Sequence, residues 1–319
     1  EYSMKKILII ADPLANFNIA GDSTYLLMLT AKDMGFQLSY CAPGEIYARG
    51  NQAFANICEL ELAHGVSEIY STKDWFQVVE RLNAVNLTHF DAILVRNDPP
   101  FNLEYYYLTQ ILELAERSGV KVLNKPSALR NFNEKLTILN FPELITPTLV
   151  SKNKQVILDF ILEHGVCVAK PIDMMAGRGV FRIANDDPNQ GAILESLTDY
   201  FTQTIMVQKF IPEVIHGDKR IFIIDGKIVD HCLYRIPQNG QIRGNLAVGG
   251  RGEVHPLNAE DYRIAEEVAK WLKQNEILIA GIDVIGTCLT EVNITSPTAM
   301  QQIYQQAGVN VAELILQTI

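Results

Sequence analysis

The sequence has few of the features that mark secreted, membrane-bound or nucleic-acid-binding proteins. Its 319 residues include five cysteines, an odd number, and no two of them have Cys-x-x-Cys spacing. Such cysteines favour free, buried thiols over disulfides or a zinc site. No apolar run approaches the length of a membrane helix and no signal peptide precedes Met4, so we expect a cytoplasmic protein. The net charge of −10 argues against nucleic acid or an anionic membrane as a partner.

Several common catalytic and binding motifs are also missing. The pattern G-x-G-x-x-G does not follow the first apolar strand, so we expect no dinucleotide site there. The six histidines are scattered and match no metal-binding spacing. We find no Ser/His/Asp or Cys/His grouping and no nucleophile motif. The remaining chemistry is that of cations, a metal ion and backbone amides, which position reactants and stabilise charge on a transferring phosphoryl group.

The hydrophobic pattern changes along the chain and predicts two regions. Apolar runs at 5–11 and 91–96, with helical patterns at 22–35 and 103–117, predict buried parallel strands and their connecting helices. Residues 1–123 are therefore expected to form an α/β domain with a doubly wound parallel sheet. Beyond 124–126 the pattern favours antiparallel pairs, such as a hairpin that turns at Asp225-Gly226. A length of 319 residues suits two domains, or one large α/β domain with an insertion.

An apolar hairpin near the carboxyl end is the candidate metal site. Glu291 and Asn293 are two residues apart in a β-branched run, so they project from one face of a strand. Asp283 lies on the preceding strand, across a turn at Gly286-Thr287. A three-residue turn or a bulge would bring Asp283 opposite Glu291, whereas a two-residue turn would leave it on the other face. Two carboxylates and one amide oxygen suit Mg²⁺ together with nucleotide phosphate; a polar sheet face is the alternative.

A lysine and a glycine-bearing loop upstream are candidate phosphate ligands. Lys170 lies in an apolar strand before Pro171, and an unpaired buried lysine is costly, so it must either snorkel or meet an anion. The loop 173–179 contains glycines whose backbone amides could approach phosphate oxygens, although a surface turn has the same composition. Taken together with the hairpin, these residues favour a nucleotide phosphate as the partner of Lys170.

A second glycine-rich segment spans residues 236–252. It contains Arg243 and Arg251, and the surrounding stretch 209–251 is basic although the whole protein is acidic. Such a stretch suits a pocket for small anions, including phosphates and carboxylates. A long loop rich in glycine and arginine is typical of a mobile lid, and a disordered linker is the alternative.

Specific motifs recur along the whole chain and together carry a family resemblance. They are Ile10-Ala11-Asp12-Pro13 with Asn18 and Asp22-Ser23, Val95-Arg96-Asn97-Asp98-Pro99-Pro100-Phe101, Asn124-Lys125-Pro126, Asn133-Glu134-Lys135, Lys170-Pro171, Gly217-Asp218-Lys219-Arg220, Arg235-Ile236-Pro237-Gln238, Arg243-Gly244-Asn245-Leu246-Ala247, Gly249-Gly250-Arg251-Gly252 and Glu291-Val292-Asn293-Ile294-Thr295-Ser296-Pro297-Thr298. From Met4 to the end, the chain resembles the prokaryotic glutathione synthetases, a family of ATP-grasp carboxylate–amine ligases. The metal hairpin is shared by ATP-grasp enzymes generally, whereas the Asp98 and Arg251 motifs are more specific.

The resemblance implies an ATP-dependent reaction. ATP would phosphorylate a carboxylate of γ-glutamylcysteine, and the amine of glycine would attack the acyl phosphate to give glutathione, ADP and phosphate. The implied architecture is an N-terminal domain (1–123) followed by a two-part ATP-grasp region (124–319), with a lid at about 124–211 and a catalytic part at about 212–319. Two Mg²⁺ ions per site, replaceable by Mn²⁺, and a homotetramer are implied as well.

The resemblance also assigns roles to individual residues. The implied ATP contacts are Lys125, Lys170, Gly177, Arg178, Gly179, Gln208, Lys209, Phe210, Ile211 and Asp218, with the segment 208–211 as the adenine hinge. The implied metal ligands are Asp283, Glu291 and Asn293, and the implied catalytic cations at the phosphoryl group are Arg220 and Arg243. The implied contacts to the peptide and glycine are Arg96, Asp98, Arg235, Asn245, Arg251, Ser296 and Thr298.

One loop departs from the family pattern. Relatives tend towards Asp-Gly-x-Gly-Gly, whereas this chain has Asp173-Met174-Met175-Ala176-Gly177. Fewer glycines stiffen the turn, and Arg178 adds a further phosphate contact. Two other functions stay open at this stage: a sister ligase that joins other amino acids or peptides, and a nucleotide-binding protein without turnover.

Overall fold

The computed structural model describes residues 4–70, 74–175, 177–238 and 251–319. The first region contains helices α1 (Ser23–Asp33) and α2 (Leu103–Arg117). Its seven strands are β1 (Lys6–Ile10), β2 (Gln37–Cys41), β3 (Ile46–Arg49), β4 (Gln52–Leu62), β5 (Phe76–Asn86), β6 (Ala92–Val95) and β7 (Lys121–Leu123). They form one sheet in the order β3-β4-β2-β1-β6-β7, with β5 paired to β4. Strands β2, β1, β6 and β7 are parallel, which confirms the parallel sheet.

Strand β1 lies at the centre of this sheet and is buried on both faces. Ile7 and Ile9 pack in one hydrophobic core, and Leu8 and Ile10 pack in another. A strand buried on both faces reads as a continuous apolar run, which is the pattern at residues 5–11. Helix α1 follows on one face, and Asp22 caps its start by accepting a hydrogen bond from the amide of Tyr25 (2.8 Å).

Three antiparallel strands, β3, β4 and β5, extend the sheet at one edge. No prediction covered them, since polar side chains interrupt their apolar residues. In β4 the buried residues Ala53, Ala55 and Ile57 alternate with more exposed ones, and β5 is largely exposed. A strand with one solvated face carries too short an apolar run to stand out beside β1. The N-terminal sheet is therefore mixed, with a parallel centre and an antiparallel edge.

The second region is built on two antiparallel sheets, as the hairpin pattern predicted. Its first strands are β8 (Thr148–Ser151), β9 (Cys167–Pro171), β10 (Phe181–Ile183) and β11 (Ile205–Lys209), in the order β10-β9-β11-β8. The second sheet has the order β14-β13-β12-β15-β16 and contains β12 (Asp218–Ile224), β13 (Lys227–Ile236), β14 (Arg251–Pro256), β15 (Ile279–Ile285) and β16 (Cys288–Asn293). The helices are α3 (Pro126–Asn131), α4 (Lys154–His164), α5 (Gln190–Leu197), α6 (Ala259–Gln274), α7 (Met300–Ala307) and α8 (Val311–Leu316).

The hairpin of β15 and β16 contains the bulge that the sequence left open. Ile285 pairs with Cys288 across a two-residue turn, and Val284 pairs with Leu289. The register then shifts by one, so that Asp283 faces Glu291 and Thr290 is the extra residue. A two-residue turn without the bulge would have placed Asp283 on the face opposite to Glu291, and the bulge places it on the same face. Both carboxylates consequently lie opposite each other on one face of the sheet.

Two predictions about the whole chain can also be compared with the structure. All five cysteines are free, which agrees with the absence of disulfides expected from their scattered positions. Within the described ranges, no helix has both the length and the apolarity needed to cross a membrane.

Candidate active site

A cavity of about 120 Å³ collects most of the predicted nucleotide-binding residues. Strands β9, β11, β12, β15 and β16 and the loop between β9 and β10 contribute to its wall. The predicted site residues that line it are Lys170, Gly177, Arg178, Gln208, Lys209, Phe210, Ile211, Asp218, Asp283 and Glu291. These residues are up to 121 positions apart in the sequence, and only the packing of the two sheets brings them together.

Three oxygen donors on the hairpin, of which Asp283 and Glu291 line this cavity, have the composition of a magnesium site. Asp283 and Glu291 are register partners, and Asn293 is the partner of Gly281. The side-chain nitrogen of Asn293 donates to the Gly281 carbonyl (3.0 Å), which leaves the amide oxygen as its metal-binding atom. No cluster of three or more His, Cys, Asp or Glu suitable for a metal occurs in the described part of the chain. Two carboxylates and one amide nevertheless fit Mg²⁺, which takes its remaining ligands from water and phosphate.

Two buried arginines hold the Asp283 carboxylate. Arg220 on β12 donates from Nε to Oδ1 (2.5 Å) and from Nη2 to Oδ2 (3.1 Å). Arg235 on β13 places Nη2 2.9 Å from Asp283 Oδ2 and 2.7 Å from Asp218 Oδ2. Burial alone would raise the pKa of Asp283, but Arg220 and Arg235 outweigh it and hold that pKa at about 2. Asp283 is therefore ionised at neutral pH and oriented before any cation binds.

The same contacts bear on the roles predicted for the arginines. Arg220 also donates from Nη1 to the carbonyl oxygen of Thr298 (3.1 Å), so it connects Asp283 to the segment after β16. Arg235 is only 6% exposed, and its guanidinium contacts Asp218 and Asp283. Burial raises the pKa of Asp218 to about 6 despite Arg235. This position does not favour the predicted role of Arg235 at the substrate carboxylates, and its contacts are those of a residue that orients Asp283.

Two lysines, Lys125 and Lys135, lie beside different cavities. Lys125 forms an ion pair with Glu276 (2.8 Å) beside a separate cavity of about 340 Å³, and its predicted contact to ATP phosphate stays a prediction. Lys135 lines the first cavity, with its ammonium 3.8 Å from Glu291 and donating a hydrogen bond to the Met174 carbonyl (2.5 Å). The Asn133-Glu134-Lys135 motif was the available signal for Lys135, which had no predicted role.

Lys170 also lines the first cavity, and its predicted contact to ATP phosphate stays a prediction. It is on β9 beside Met206 of β11 and is only 7% exposed. Burial lowers its pKa, and the nearby Glu291 offsets only part of this effect. A buried ammonium that faces a cavity gains a partner when an anion such as a phosphate enters.

The segment predicted to be the adenine hinge, residues 208–211, also lines this cavity. The amides of Lys209 and Phe210 donate to the carbonyls of Pro147 and Val166, each at 2.9 Å. The side chain of Gln208 donates to the Thr148 hydroxyl (2.9 Å) and is almost fully buried. These bonds fix the segment rigidly. An adenine ring would therefore have to contact other backbone groups of 208–211.

A second cavity, of about 540 Å³, lies between the N-terminal sheet and the segment after β16. Its wall contains three carboxylates, Asp12, Asp22 and Asp98, and one guanidinium, Arg96. Arg96 donates to the Thr24 hydroxyl (3.0 Å) and the Pro297 carbonyl (3.2 Å), while its Nη1 has no hydrogen-bond partner among the described residues. This mixture of charges suits a ligand that carries both ammonium and carboxylate groups.

Residues on the segment after β16 join this second cavity to the first. Ser296 donates from its hydroxyl to Asp98 (3.0 Å), and Thr298 lines the second cavity while its carbonyl accepts from Arg220. Sequence reasoning assigned Asp98, Ser296 and Thr298 to the peptide site but gave no such role to Asp12 or Asp22. The family motif Asp22-Ser23 was the available signal for Asp22, which also caps α1.

The remaining predicted residues line neither of these two cavities or lie outside the described residues. Arg251 begins β14, is 73% exposed in its side chain and pairs with Glu253 (2.6 Å). Gly179 has a φ of +69°, and an added Cβ would lie 3.0 Å from Pro171, so a side chain there would be strained. Arg243, Asn245 and Ala176 lie outside the described residues, so their predicted roles are unchanged by the structure.

Solved structures share this fold at low sequence identity. A D-cycloserine synthetase, DcsG, superposes with a TM-score of 0.67 at 13% identity, covering 98% of this chain and 97% of that one. The D-alanyl-alanine synthetase A of Vibrio cholerae gives a TM-score of 0.60 at 14% identity, with 98% and 97% covered. At these identities the similarity shows a common fold alone, and PsnB, another structural neighbour, is described as an ATP-grasp ligase.

Sequence relatives identify the family. The glutathione synthetase of Neisseria meningitidis serogroup B is 45% identical over 316 residues, which is 99% of this chain and 98% of that protein. The glutathione synthetase of Escherichia coli K12 is 40% identical over 316 residues, with the same coverage. Residues 5–130 match the prokaryotic glutathione synthetase N-terminal domain, and residues 134–308 match the ATP-grasp domain of the same family. The chain therefore belongs to the prokaryotic glutathione synthetase family and has its two domains in the same order.

Proposed function

We propose that the protein is an ATP-dependent ligase that joins γ-glutamylcysteine to glycine and releases glutathione, ADP and phosphate. The geometric support is a pair of cavities, one with the Asp283–Glu291 pair and three lysines, the other with carboxylates and Arg96. The substrates are those implied by the name of the relatives, which are up to 45% identical over almost the full length.

In the nucleotide cavity, the residues of this chain neutralise and orient the phosphates of ATP. Lys135 and Lys170 lie at the cavity wall, and Arg178 extends from the loop between β9 and β10. Asp283, Glu291 and Asn293 would hold Mg²⁺, with two ions per site and Mn²⁺ as a substitute. When bound, the metal supplies positive charge that stabilises the transferring phosphoryl group.

The second cavity is the proposed site of the peptide. Its carboxylates suit the ammonium group of γ-glutamylcysteine, and Arg96 suits a carboxylate of the same molecule. The carboxylate to be phosphorylated then has to point towards Arg220, which contacts both Asp283 and the Thr298 carbonyl. Arg220 would stabilise the negative charge that develops on the acyl phosphate. Arg243, Asn245 and Arg251 remain proposed contacts to phosphoryl and substrate groups.

The proposal also covers the domain boundaries, the oligomeric state and the cellular compartment. We place domain boundaries near residues 124 and 212, because each resulting interval contains one complete sheet. By family resemblance the protein would act as a homotetramer in the cytoplasm.

The deciding experiment measures ADP release from Mg²⁺-ATP in the presence of γ-glutamylcysteine, with and without glycine. Turnover that requires both substrates and forms glutathione in a one-to-one ratio with ADP supports the proposal. A Glu291→Ala variant should stay folded and lose this turnover, because one metal-binding carboxylate is gone. Turnover with a different carboxylate and amine would replace the proposal with a sister ligase, and nucleotide binding without turnover would refute catalysis.

A further inference from the structure

A single glutamate connects the loop of Lys135 to the strand that bears the metal-binding residues. The carboxylate oxygen Oε1 of Glu134 accepts three hydrogen bonds: from the amide of Ile294 (3.0 Å), the amide of Thr295 (3.0 Å) and the hydroxyl of Thr295 (2.7 Å). The backbone carbonyl of Glu134 accepts a fourth, from the amide of Val292 (2.9 Å). One residue thus satisfies four donors of the segment 292–295.

These bonds replace a missing neighbouring strand. β16 is the last strand of its sheet, so amides on its outer edge have no strand partner. Val292 and Ile294 are two residues apart, and their amides therefore point to the same side, where Glu134 receives both. Buried amides need such acceptors, since an unpaired one costs free energy comparable to a lost hydrogen bond. Glu134 therefore sets the position of the end of β16.

The segment 292–295, which Glu134 holds, connects two groups of functional residues. Glu291 lies just before it and Asn293 lies within it, and both belong to the proposed metal site. Ser296 follows immediately and donates to Asp98 in the second cavity. The next residue, Pro297, accepts from Arg96 through its carbonyl. A shift of the segment 292–295 would accordingly move the metal-binding oxygens and the peptide cavity together.

We propose that Glu134 is a positioning residue that fixes the proposed metal site and the peptide segment relative to Lys135. The inference rests on the proposed function for the meaning of these sites, but the contacts themselves do not depend on it. Lys135 is the next residue in the chain and lies 3.8 Å from Glu291, so Glu134 holds a phosphate-binding lysine and a metal-binding carboxylate in one rigid unit. Groups that orient metal ligands influence affinity although they never touch the metal.

The test uses Mn²⁺ as a spin probe and needs no peptide substrate. Mn²⁺ binding is titrated by electron paramagnetic resonance with a non-hydrolysable ATP analogue, for the unmodified protein and for Glu134→Ala, Glu134→Gln and Thr295→Val. Glu143→Ala is the matched control, because Glu143 is an exposed glutamate nearby in the sequence. The alanine variant should bind Mn²⁺ about 10–100-fold more weakly, the range found when supporting partners of metal ligands are removed.

The other variants separate positioning from simple loss of fold. Glu134→Gln keeps an acceptor oxygen of the same reach and should restore most of the affinity. Thr295→Val removes only the 2.7 Å hydroxyl bond and should have an intermediate effect, still larger than that of Glu143→Ala. If Glu134→Ala does not fold, Thr295→Val still tests whether the hydrogen bonds of Glu134 influence Mn²⁺ affinity. Turnover measured in parallel should show a lowered kcat and a raised KM for γ-glutamylcysteine in Glu134→Ala.

Two results would overturn the inference. One is an unchanged Mn²⁺ affinity in Glu134→Ala and Thr295→Val. The other is a smaller number of binding sites with unchanged affinity and KM, since that indicates only a smaller folded fraction. Failure of the unmodified protein to form glutathione would refute the proposed function, but the Mn²⁺ titration would still judge Glu134 independently.

Discussion

Replacing Lys135 by methionine should weaken nucleotide binding, whereas the same replacement at Lys125 should leave it unchanged. The prediction compares two lysines that are ten residues apart and that occupy different cavities. Methionine retains the length and apolar character of the lysine stem but removes the charge. The pair therefore tests which lysine contacts the phosphates, with little change in packing at either position.

The magnitude follows from the environment of each ammonium group. Lys135 is 7% exposed, and a charge-assisted bond to a phosphate oxygen in such a setting contributes about 1.5–3 kcal/mol, or about 10–150-fold in affinity. The Lys125 side chain is 36% exposed and its partner Glu276 is 69% exposed, so that pair contributes at most about 1 kcal/mol to stability. Nucleotide binding should not depend on it.

Lys135 also interacts with Glu291, so its replacement should affect metal binding differently from nucleotide binding. At 3.8 Å, two unit charges attract by about 4 kcal/mol at an effective dielectric constant of 20, before the cost of desolvation. Without this neighbouring cation, Glu291 is a better ligand for a divalent ion. Lys135→Met should therefore bind Mn²⁺ in the absence of nucleotide no more weakly than the unmodified protein, and more tightly if the attraction is largely uncompensated.

Isothermal titration with a non-hydrolysable ATP analogue and Mg²⁺ measures the nucleotide affinities, and melting curves confirm that both variants are folded. Equal losses in the two variants would show that the effect is a general change of charge. A loss confined to Lys125→Met would refute the placement of Lys135 at the phosphates.

Three further predictions concern the same cavity. Asp283→Asn removes the charge that Arg220 and Arg235 share, and urea denaturation should show a loss of about 3–5 kcal/mol in unfolding free energy. Lys170→Met should weaken ATP binding yet raise the Tm at pH 7. Burial lowers the pKa of Lys170, which means that desolvation of its ammonium group destabilises the folded state. This gain should shrink as the pH rises towards 10.5, where the unfolded lysine also loses its proton; a gain that grows with pH would contradict the reasoning. Arg178→Ala should raise the KM for ATP, and an unchanged KM would exclude the contact.

Much of the architecture could be read from local patterns. The apolar run of β1, the capped start of α1 and the hairpin at Asp225-Gly226 all occur where periodicity and turn residues placed them. These signals are local, because the alternation of side chains along a strand or helix depends on neighbouring residues only. Strands β3 to β5 were missed for the same reason. Polar side chains interrupt their apolar pattern, and their pairing depends on residues far apart in the sequence.

The site was only partly accessible to such reasoning. The sequence placed Asp283, Glu291 and Asn293 on one hairpin but left their faces open, and the bulge at Thr290 made the two carboxylates partners. The sequence prediction named Lys125 and not Lys135, because the position of each ammonium group depends on how α3 and the following loop pack, which spacing does not show.

The sequence by itself determined the parallel strands of the N-terminal sheet, the acidic and amide donors of the hairpin, and the family. The tertiary structure alone decided that Arg235 faces Asp218 and Asp283, that Arg96 contacts the segment after β16, and that Arg220 joins Asp283 of the first cavity to Thr298 of the second. Ion pairs and cavities join residues far apart in the chain, so their formation depends on the packing of sheets against one another, which no local pattern contains.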